Sequence, residues 1–256
     1  MSGLEKKLFD QLLRLRDEFD LQGVKAEFEA EGSSFRDVVH LRRITDKLNV
    51  PLYLKIGGVE AVRDIKDSLE LGVDGLIAPM VESCFGLKKF LDAVASVYKD
   101  KKIHRSINFE TRQAVDKIDE ILQQGKGGID NVTIGRTDLS ASYFNPKILP
   151  DSGFIFKILE DVGRKLGGEE ITMTVGGSLS KKSIELFRNE QDKWPKLIER
   201  LETRKVILPT KVMLENISSV SESLRFEELY ILSKTEMSDL FMEAETARLT
   251  RLKMRS

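Results

Sequence analysis

Cysteine, tryptophan and histidine are scarce in this chain: its 256 residues include one Cys, one Trp and two His. The lone Cys84 excludes an intramolecular disulfide and points to a reducing compartment. It also lacks a recognisable histidine partner, so it reads as a small buried residue rather than a nucleophile. No apolar run approaches the roughly 20 residues of a membrane-spanning helix. Neither charge sign dominates: 41 Lys and Arg face 42 Asp and Glu, a formal net charge of -1. A global attraction to nucleic acid or to an anionic membrane is thereby excluded, although local anion sites are not. No stretch is rich enough in Pro, Gly or Ser to mark a linker, and no internal repeat is seen. The charged, helical start at 1–16 does not resemble a signal peptide. These absences lead us to expect a cytoplasmic protein.

What is present is alternation. Short apolar or alternating runs trade places with longer helical patterns. A first helix is expected over 4–19. Strands follow at 23–30, 51–56, 74–79, 103–109, 131–135, 171–175, 204–208 and 228–232. Helical patterns separate them at 35–48, 59–71, 85–98, 113–124, 154–166, 181–201 and 211–224, and a helical tail covers 238–253. Eight strands alternating with helices over about 250 residues is the pattern of a (β/α)₈ TIM barrel, here with an extra N-terminal helix. We expect one barrel domain over 1–256. A doubly wound open sheet is the rival.

Side chains alternate across a strand. The first strand places Val24, Ala26, Phe28 and Ala30 on one face and Lys25, Glu27, Glu29 and Glu31 on the other. The fourth places His104, Ser106, Asn108 and Glu110 together, and the sixth alternates Ile171, Met173 and Val175 with Thr172 and Thr174. A solvated edge strand would give this pattern once. Three such strands point instead to a polar inner lining, with apolar faces packed beneath helices. Buried charge is costly unless paired, hydrogen-bonded or metal-bound, so a site is expected at the C-terminal rim. Two carboxylates mark it. Glu110 ends the fourth strand and Asp138 follows the fifth, with one helical stretch between them. A strand–helix–strand unit brings both strand ends to the same rim, where two oxygen ligands suit a hard divalent cation.

The segments Ile107-Asn108-Phe109-Glu110-Thr111-Arg112 and Ile129-Asp130-Asn131-Val132-Thr133-Ile134-Gly135-Arg136-Thr137-Asp138-Leu139-Ser140 resemble the metal-binding half of the phosphoenolpyruvate/pyruvate barrel superfamily. The closest resemblance is to the HpcH/HpaI aldolase and citrate lyase β-subunit family. Leu71 to Ser83 is similar to that family's third strand and its Pro-containing turn, and Glu27-Phe28-Glu29 to its acidic motif on the first strand. The resemblance spans 23–143. It implies a (β/α)₈ barrel binding Mg²⁺ or Mn²⁺ through Glu110 and Asp138. The metal would chelate a 2-oxo acid and stabilise its enolate. The resemblance also implies that the backbone of Gly135, Arg136 and Thr137 receives the substrate carboxylate. Asn108 stands where the aldolases have a Gln beside the metal, and Lys55 where they have an Arg that polarises the keto oxygen.

The departures from the family are specific. Ala30 occupies the position of a histidine that serves the aldolases' general base. Lys55 lacks the two-pronged donor of an Arg, and Arg136 replaces a small residue or Pro. The expected enzyme is a metal-dependent carbon–carbon lyase of the class II aldolase type. Glu110 and Asp138 would hold the metal, Lys55 and Arg136 would engage substrate oxygens, and Glu29 would be the acid/base candidate. Alternatives are a CoA-thioester lyase of the citrate lyase type, or a barrel that has lost its chemistry and serves as a binding module. The expected partner is a small 2-oxo acid or acyl substrate, with no nucleic acid and no membrane, in a homo-oligomer. Two further signals are ambiguous. Gly176-Gly177-Ser178 reads equally as an anion-holding turn and as an ordinary βα turn with a serine cap. The basic tail with Arg248, Arg251, Lys253 and Arg255 lacks aromatic interleaving, which favours a solvated face or an oligomer contact.

Overall fold

Strands that are apolar on one face and polar on the other leave two surfaces to satisfy, and this chain does so by closing the sheet on itself. The computed structural model describes residues 3–167 and 170–255. Helix α1 (Gly3–Phe19) leads into strand β1 (Gly23–Glu27). There follow α2 (Phe35–Lys47), β2 (Leu52–Lys55), α3 (Val62–Leu71), β3 (Gly75–Ala78), α4 (Cys84–Tyr98) and β4 (His104–Phe109). The expected helix at 113–124 is two short ones, α5 (Arg112–Asp116) and α6 (Ile118–Gly125). Next come β5 (Asn131–Gly135), α7 (Arg136–Ala141), α8 (Gly153–Leu166) and β6 (Thr172–Gly176). The chain continues through α9 (Lys181–Arg188), α10 (Trp194–Leu197), β7 (Arg200–Glu202), β8 (Val206–Pro209), α11 (Thr210–Glu215) and α12 (Ser218–Lys253). The strands form a closed barrel in the order β1 to β8. The fold class is therefore the expected eight-stranded α/β barrel preceded by a helix.

The outer faces of the strands are sealed by the helices. Val24, Ala26, Leu54, Leu76, Ile107, Phe109, Ile134 and Leu208 are all fully buried there. Local signals start and stop the helices. Ser34 and Asp37 form a reciprocal capping box at α2, an arrangement in which two orphan N–H groups find acceptors. Gly72 ends α3 with a left-handed φ of 63°. Tyr53 packs at the floor of the barrel, which His104, Asn131 and Arg200 also line. Tyr53 lies so close to Gly23 and Gly75 that a Cβ at either would stand 2.4 or 2.5 Å from it. His104 lies against the ring edge-on, with 5.4 Å between ring centroids.

The last quarter departs from the expected pattern. The helix expected over 181–201 breaks after Arg188, and β7 begins at Arg200. The strand expected at 204–208 is β8, which runs antiparallel to both β7 and β1. The strand expected at 228–232 lies inside α12. The cause is the connection. Only Thr203, Arg204 and Lys205 separate β7 from β8, whereas a parallel crossover needs a dozen residues or more. A hairpin is the only link that fits, and its turn faces the C-terminal rim. Helix α12 then rises along α1, with Val220, Phe226, Leu229 and Tyr230 buried against the body.

Candidate active site

The inward side chains of β1, β2, β4, β5 and β7 end at one rim around a cavity of about 510 Å³. Strand alternation brings them there. Lys55 is the last residue of β2, Asn108 lies in β4, Glu110 follows β4, and Gly135 ends β5. Lys55 Nζ bridges two carboxylates, 2.8 Å from Glu29 Oε2 and 3.1 Å from Glu110 Oε1. Asn108 Nδ2 donates to the same Glu110 oxygen at 2.9 Å. The other oxygen accepts the Met80 N–H at 3.3 Å. Met80 has φ 50°, a costly backbone for a non-glycine residue that aims this N–H into the rim. Gly135 makes the arrangement sterically feasible, because a Cβ there would stand 2.7 Å from Glu110 Cγ.

A second buried cation sits one strand away. Lys25 Nζ lies 2.6 Å from Glu202 and 3.4 Å from Glu27. Glu202 packs over Gly176, whose Cβ would come within 2.8 Å of it. Glu27 is also 3.3 Å from Arg204 Nη1. Burial pulls both ammonium groups toward neutrality, but the carboxylates outweigh it and hold each pKa above its usual value. Burial likewise pushes Glu27 up, and Lys25, Lys55 and Arg204 outweigh it and hold it down. Two lysines kept firmly protonated supply fixed positive charge rather than a free amine nucleophile.

Asp138 behaves differently. Burial raises its pKa, and the nearby Glu110 charge adds to the rise, with Lys55 opposing. Among the described residues no three His, Cys, Asp or Glu side chains converge into a metal cluster. The donors that are present are all hard oxygens: the Asp138 carboxylate, Glu110, and the buried Asn108 Oδ1, which has no partner. That set fits Mg²⁺ or Mn²⁺, since Mg²⁺ is usually held by one or two carboxylates and keeps waters or substrate for the rest. Glu110 and Asp138 are thus brought to one cavity, with Lys55, Glu29, Asn108, Gly135 and Thr137. The Thr137 hydroxyl is 2.9 Å from Ser178 Oγ.

Arg136 is not brought there. Its side chain is fully buried and points away from the cavity. Nη1 pairs with Asp151 at 2.6 Å, Nε donates to Gly176 O at 3.0 Å and Nη2 to Gly177 O at 2.9 Å. With these partners and the Phe187 ring beneath it, the guanidinium ties β5 to β6 and cannot reach a substrate oxygen. Gly177 approaches so closely that a Cβ would stand 2.6 Å from the Arg136 and Thr137 amide nitrogens, so only a glycine leaves those two amides clear. Sequence reasoning missed Glu202, Arg204 and Glu227 as cavity residues, and gave Lys25 no role there. Reading Arg200 and Glu202 as an inward pair on a short strand would have found Glu202. No histidine lines the cavity among the described residues, and His104 lies at the opposite end of β4.

A family model described as HpcH/HpaI aldolase/citrate lyase matches residues 48–146. The match takes in Lys55, Asn108, Glu110, Gly135, Thr137 and Asp138, and leaves out β1 and everything from β6 onward. No curated protein matches the chain. Among solved structures, an HpcH/HpaI aldolase from Desulfitobacterium hafniense DCB-2 superposes with a TM-score of 0.60 at 18% identity, over 76% of this chain and 82% of that one. The citrate synthase SbnG superposes with a TM-score of 0.59 at 14% identity, over 92% of this chain and 90% of that one. Those structures share the barrel, and the family match supports an activity of the lyase or aldolase type. No helix among the described residues is long and apolar enough to cross a membrane. The resemblance read in the sequence is thereby shown as a resemblance: residues 48–146 match the HpcH/HpaI aldolase/citrate lyase family model, and the solved structures share the barrel fold.

Proposed function

We propose that the cavity cleaves or forms a carbon–carbon bond next to a 2-oxo acid, passing through a pyruvate-like enolate. The observation that carries this reading is the Lys55 bridge between Glu29 and Glu110, beside an Asp138 whose pKa is raised. An enolate concentrates negative charge on the former keto oxygen, and a fixed ammonium nearby stabilises that charge more than it stabilises the neutral ketone. In the cleavage direction, Glu29 accepts the proton of the substrate's 4-hydroxyl. The C3–C4 bond then breaks, an aldehyde leaves, and the electron pair passes to the enolate. A proton returned to C3 completes the 2-oxo acid. Glu29 suits the proton transfer because it is partly exposed at the mouth and shares Lys55 with Glu110, so water can exchange with it. Glu110 and Asp138 would hold a divalent ion, which when bound supplies Lewis-acid charge to the substrate's carboxylate and keto oxygens. The carboxylate would also meet the Gly135–Thr137 backbone.

A second reading has a specific observation behind it. With no histidine at the cavity and Lys55 already seated on Glu110, the barrel could bind such acids without turning them over. Isothermal titration of metal-stripped protein with Mn²⁺, with and without oxalate or pyruvate, separates the two. The lyase reading expects Mn²⁺-dependent oxalate binding that weakens at least tenfold in Asp138→Ala, together with retro-aldol turnover of 4-hydroxy-2-oxo acids. Oxalate binding without turnover across that panel establishes the binding module. Absence of Mn²⁺ and oxalate binding in the wild type rejects both.

A further inference from the structure

The hairpin that closes the barrel lies outside the matched residues 48–146 and adds Glu202, Thr203 and Arg204 to the cavity. Three cations line that cavity. Lys25 and Lys55 are each nine-tenths buried and each neutralised by two carboxylates. Arg204 is different. It stands at the apex of the β7–β8 turn with half of its side chain exposed, and among the described residues Glu27 is its one partner, through Nη1 alone at 3.3 Å. Arg204 lines the mouth together with Leu224 and Glu227 of α12, and its charge opposes the burial that raises the Glu227 pKa. Its neighbours fix the turn. Lys205 is buried against Glu31 and lies 4.7 Å over the Tyr230 ring, while Thr203 N donates to Val206 O at 2.9 Å.

We propose that Arg204 is a specificity-determining residue that receives a second oxyanion, a carboxylate at the far end of the substrate from the 2-oxo acid group. An arginine with free donors presents a planar fork matched to such a group. The geometry places it across the cavity from Glu110 and Asp138, on a turn anchored by its buried neighbour rather than on a free loop. The preferred substrate is then a dianion carrying a 2-oxo acid at one end and a carboxylate at the other. This assignment rests on the 2-oxo acid reading above.

Titrating Mn²⁺-loaded protein with oxalate, 2-oxopentanoate and 2-oxoglutarate tests it. The last two differ in whether the far end carries a charge. Wild type should bind 2-oxoglutarate at least tenfold more tightly than 2-oxopentanoate, as expected of a charge-assisted hydrogen bond. Arg204→Gln should erase that preference and leave oxalate affinity within about twofold, and Arg204→Lys should recover part of it. A collapse of the barrel would weaken oxalate as well, so the oxalate control separates a structural effect from lost recognition. Equal binding of the two longer acids by wild type overturns the Arg204 assignment, as does an unchanged ratio in Arg204→Gln. If oxalate fails to bind while 2-oxoglutarate still depends on Arg204, the second anion site stands and the 2-oxo acid reading falls.

Discussion

The barrel has two unequal parts. From β1 to β6 each strand is followed by helix, all strands are parallel, and the rim carries Lys55, Glu110 and Asp138. From β7 onward a three-residue turn reverses the chain, β8 runs down the wall, and the rim gains Glu202 and Arg204 instead. The comparison teaches that closing a barrel requires continuous edge pairing but not a uniform strand direction. It also separates the chemistry. The part matched by the family model holds Glu110, Asp138 and Lys55, whereas the hairpin holds Glu202 and the one lining arginine. Lys25 joins the two parts by pairing β1 to Glu202 of β7.

The largest effect should come from breaking that joint. Lys25→Met leaves Glu202 and Glu27 buried without their main cation. Removing one partner of a buried pair costs about 3–5 kcal/mol, so urea unfolding should show a loss of that size. Lys55→Met should cost distinctly less, because Glu29 sits partly in water and Glu110 keeps its Asn108 and Met80 hydrogen bonds. Equal losses would mean that the two parts of the barrel are not held together through Lys25.

A middle-sized effect should separate the parts by function. A Cβ at Gly135 collides with Glu110, and one at Gly176 collides with Glu202. Overpacking of this kind costs about 1–3 kcal/mol, so both Gly135→Ala and Gly176→Ala should destabilise to a similar degree in denaturant melts. Only Gly135→Ala should also weaken Mn²⁺-dependent oxalate binding, since it alone displaces a carboxylate of the proposed metal site. Matching losses of oxalate affinity would show that Glu202 belongs to the same site.

These two parts also differed in how far the sequence revealed them. In the first, strands 1, 4 and 6 showed period-two alternation, helical patterns separated most of the strands, and β5 was placed residue for residue. Glu110 and Asp138 were legible because a strand–helix–strand unit has only one way to orient its ends. Lys55 was found by resemblance, although nothing in the sequence says that it would bridge Glu29 to Glu110. The hairpin was hidden for a local reason. Trp194-Pro195-Lys196-Leu197 continues the helical spacing of α9, so β7 was absorbed into a helix and the count of eight was completed with 228–232. That segment carries apolar residues because α12 buries Leu229 and Tyr230, and a short apolar run does not distinguish a strand from a buried helix. Arg136 was misplaced because sequence gives the residue but not the side of the strand end to which a long side chain turns.

The smallest effect concerns pH and compares the floor of the barrel with its outer wall. Burial lowers the pKa of His104, beside Tyr53 on the floor, and of His40, on the inner side of α2. Both therefore start from an ordinary value of 6.5 and resist protonation in the fold. Above pH 6.5 both states of the protein are neutral at these positions, and the stability is fully present. As pH falls below 6.5 the unfolded chain takes up protons first, so stability declines until the folded pKa values are reached, and then levels off. Urea midpoints measured from pH 7.5 to 5 should show this decline, superposed on the contribution of the carboxylates. His104→Gln and His40→Gln should each flatten it. His104 has charged neighbours of both signs, with Asp130 favouring protonation and Arg200 and Arg105 opposing it. If only the His40 variant flattens the slope, Asp130 has restored the floor histidine in solution, and the floor is wetter than its packing against Tyr53 implies.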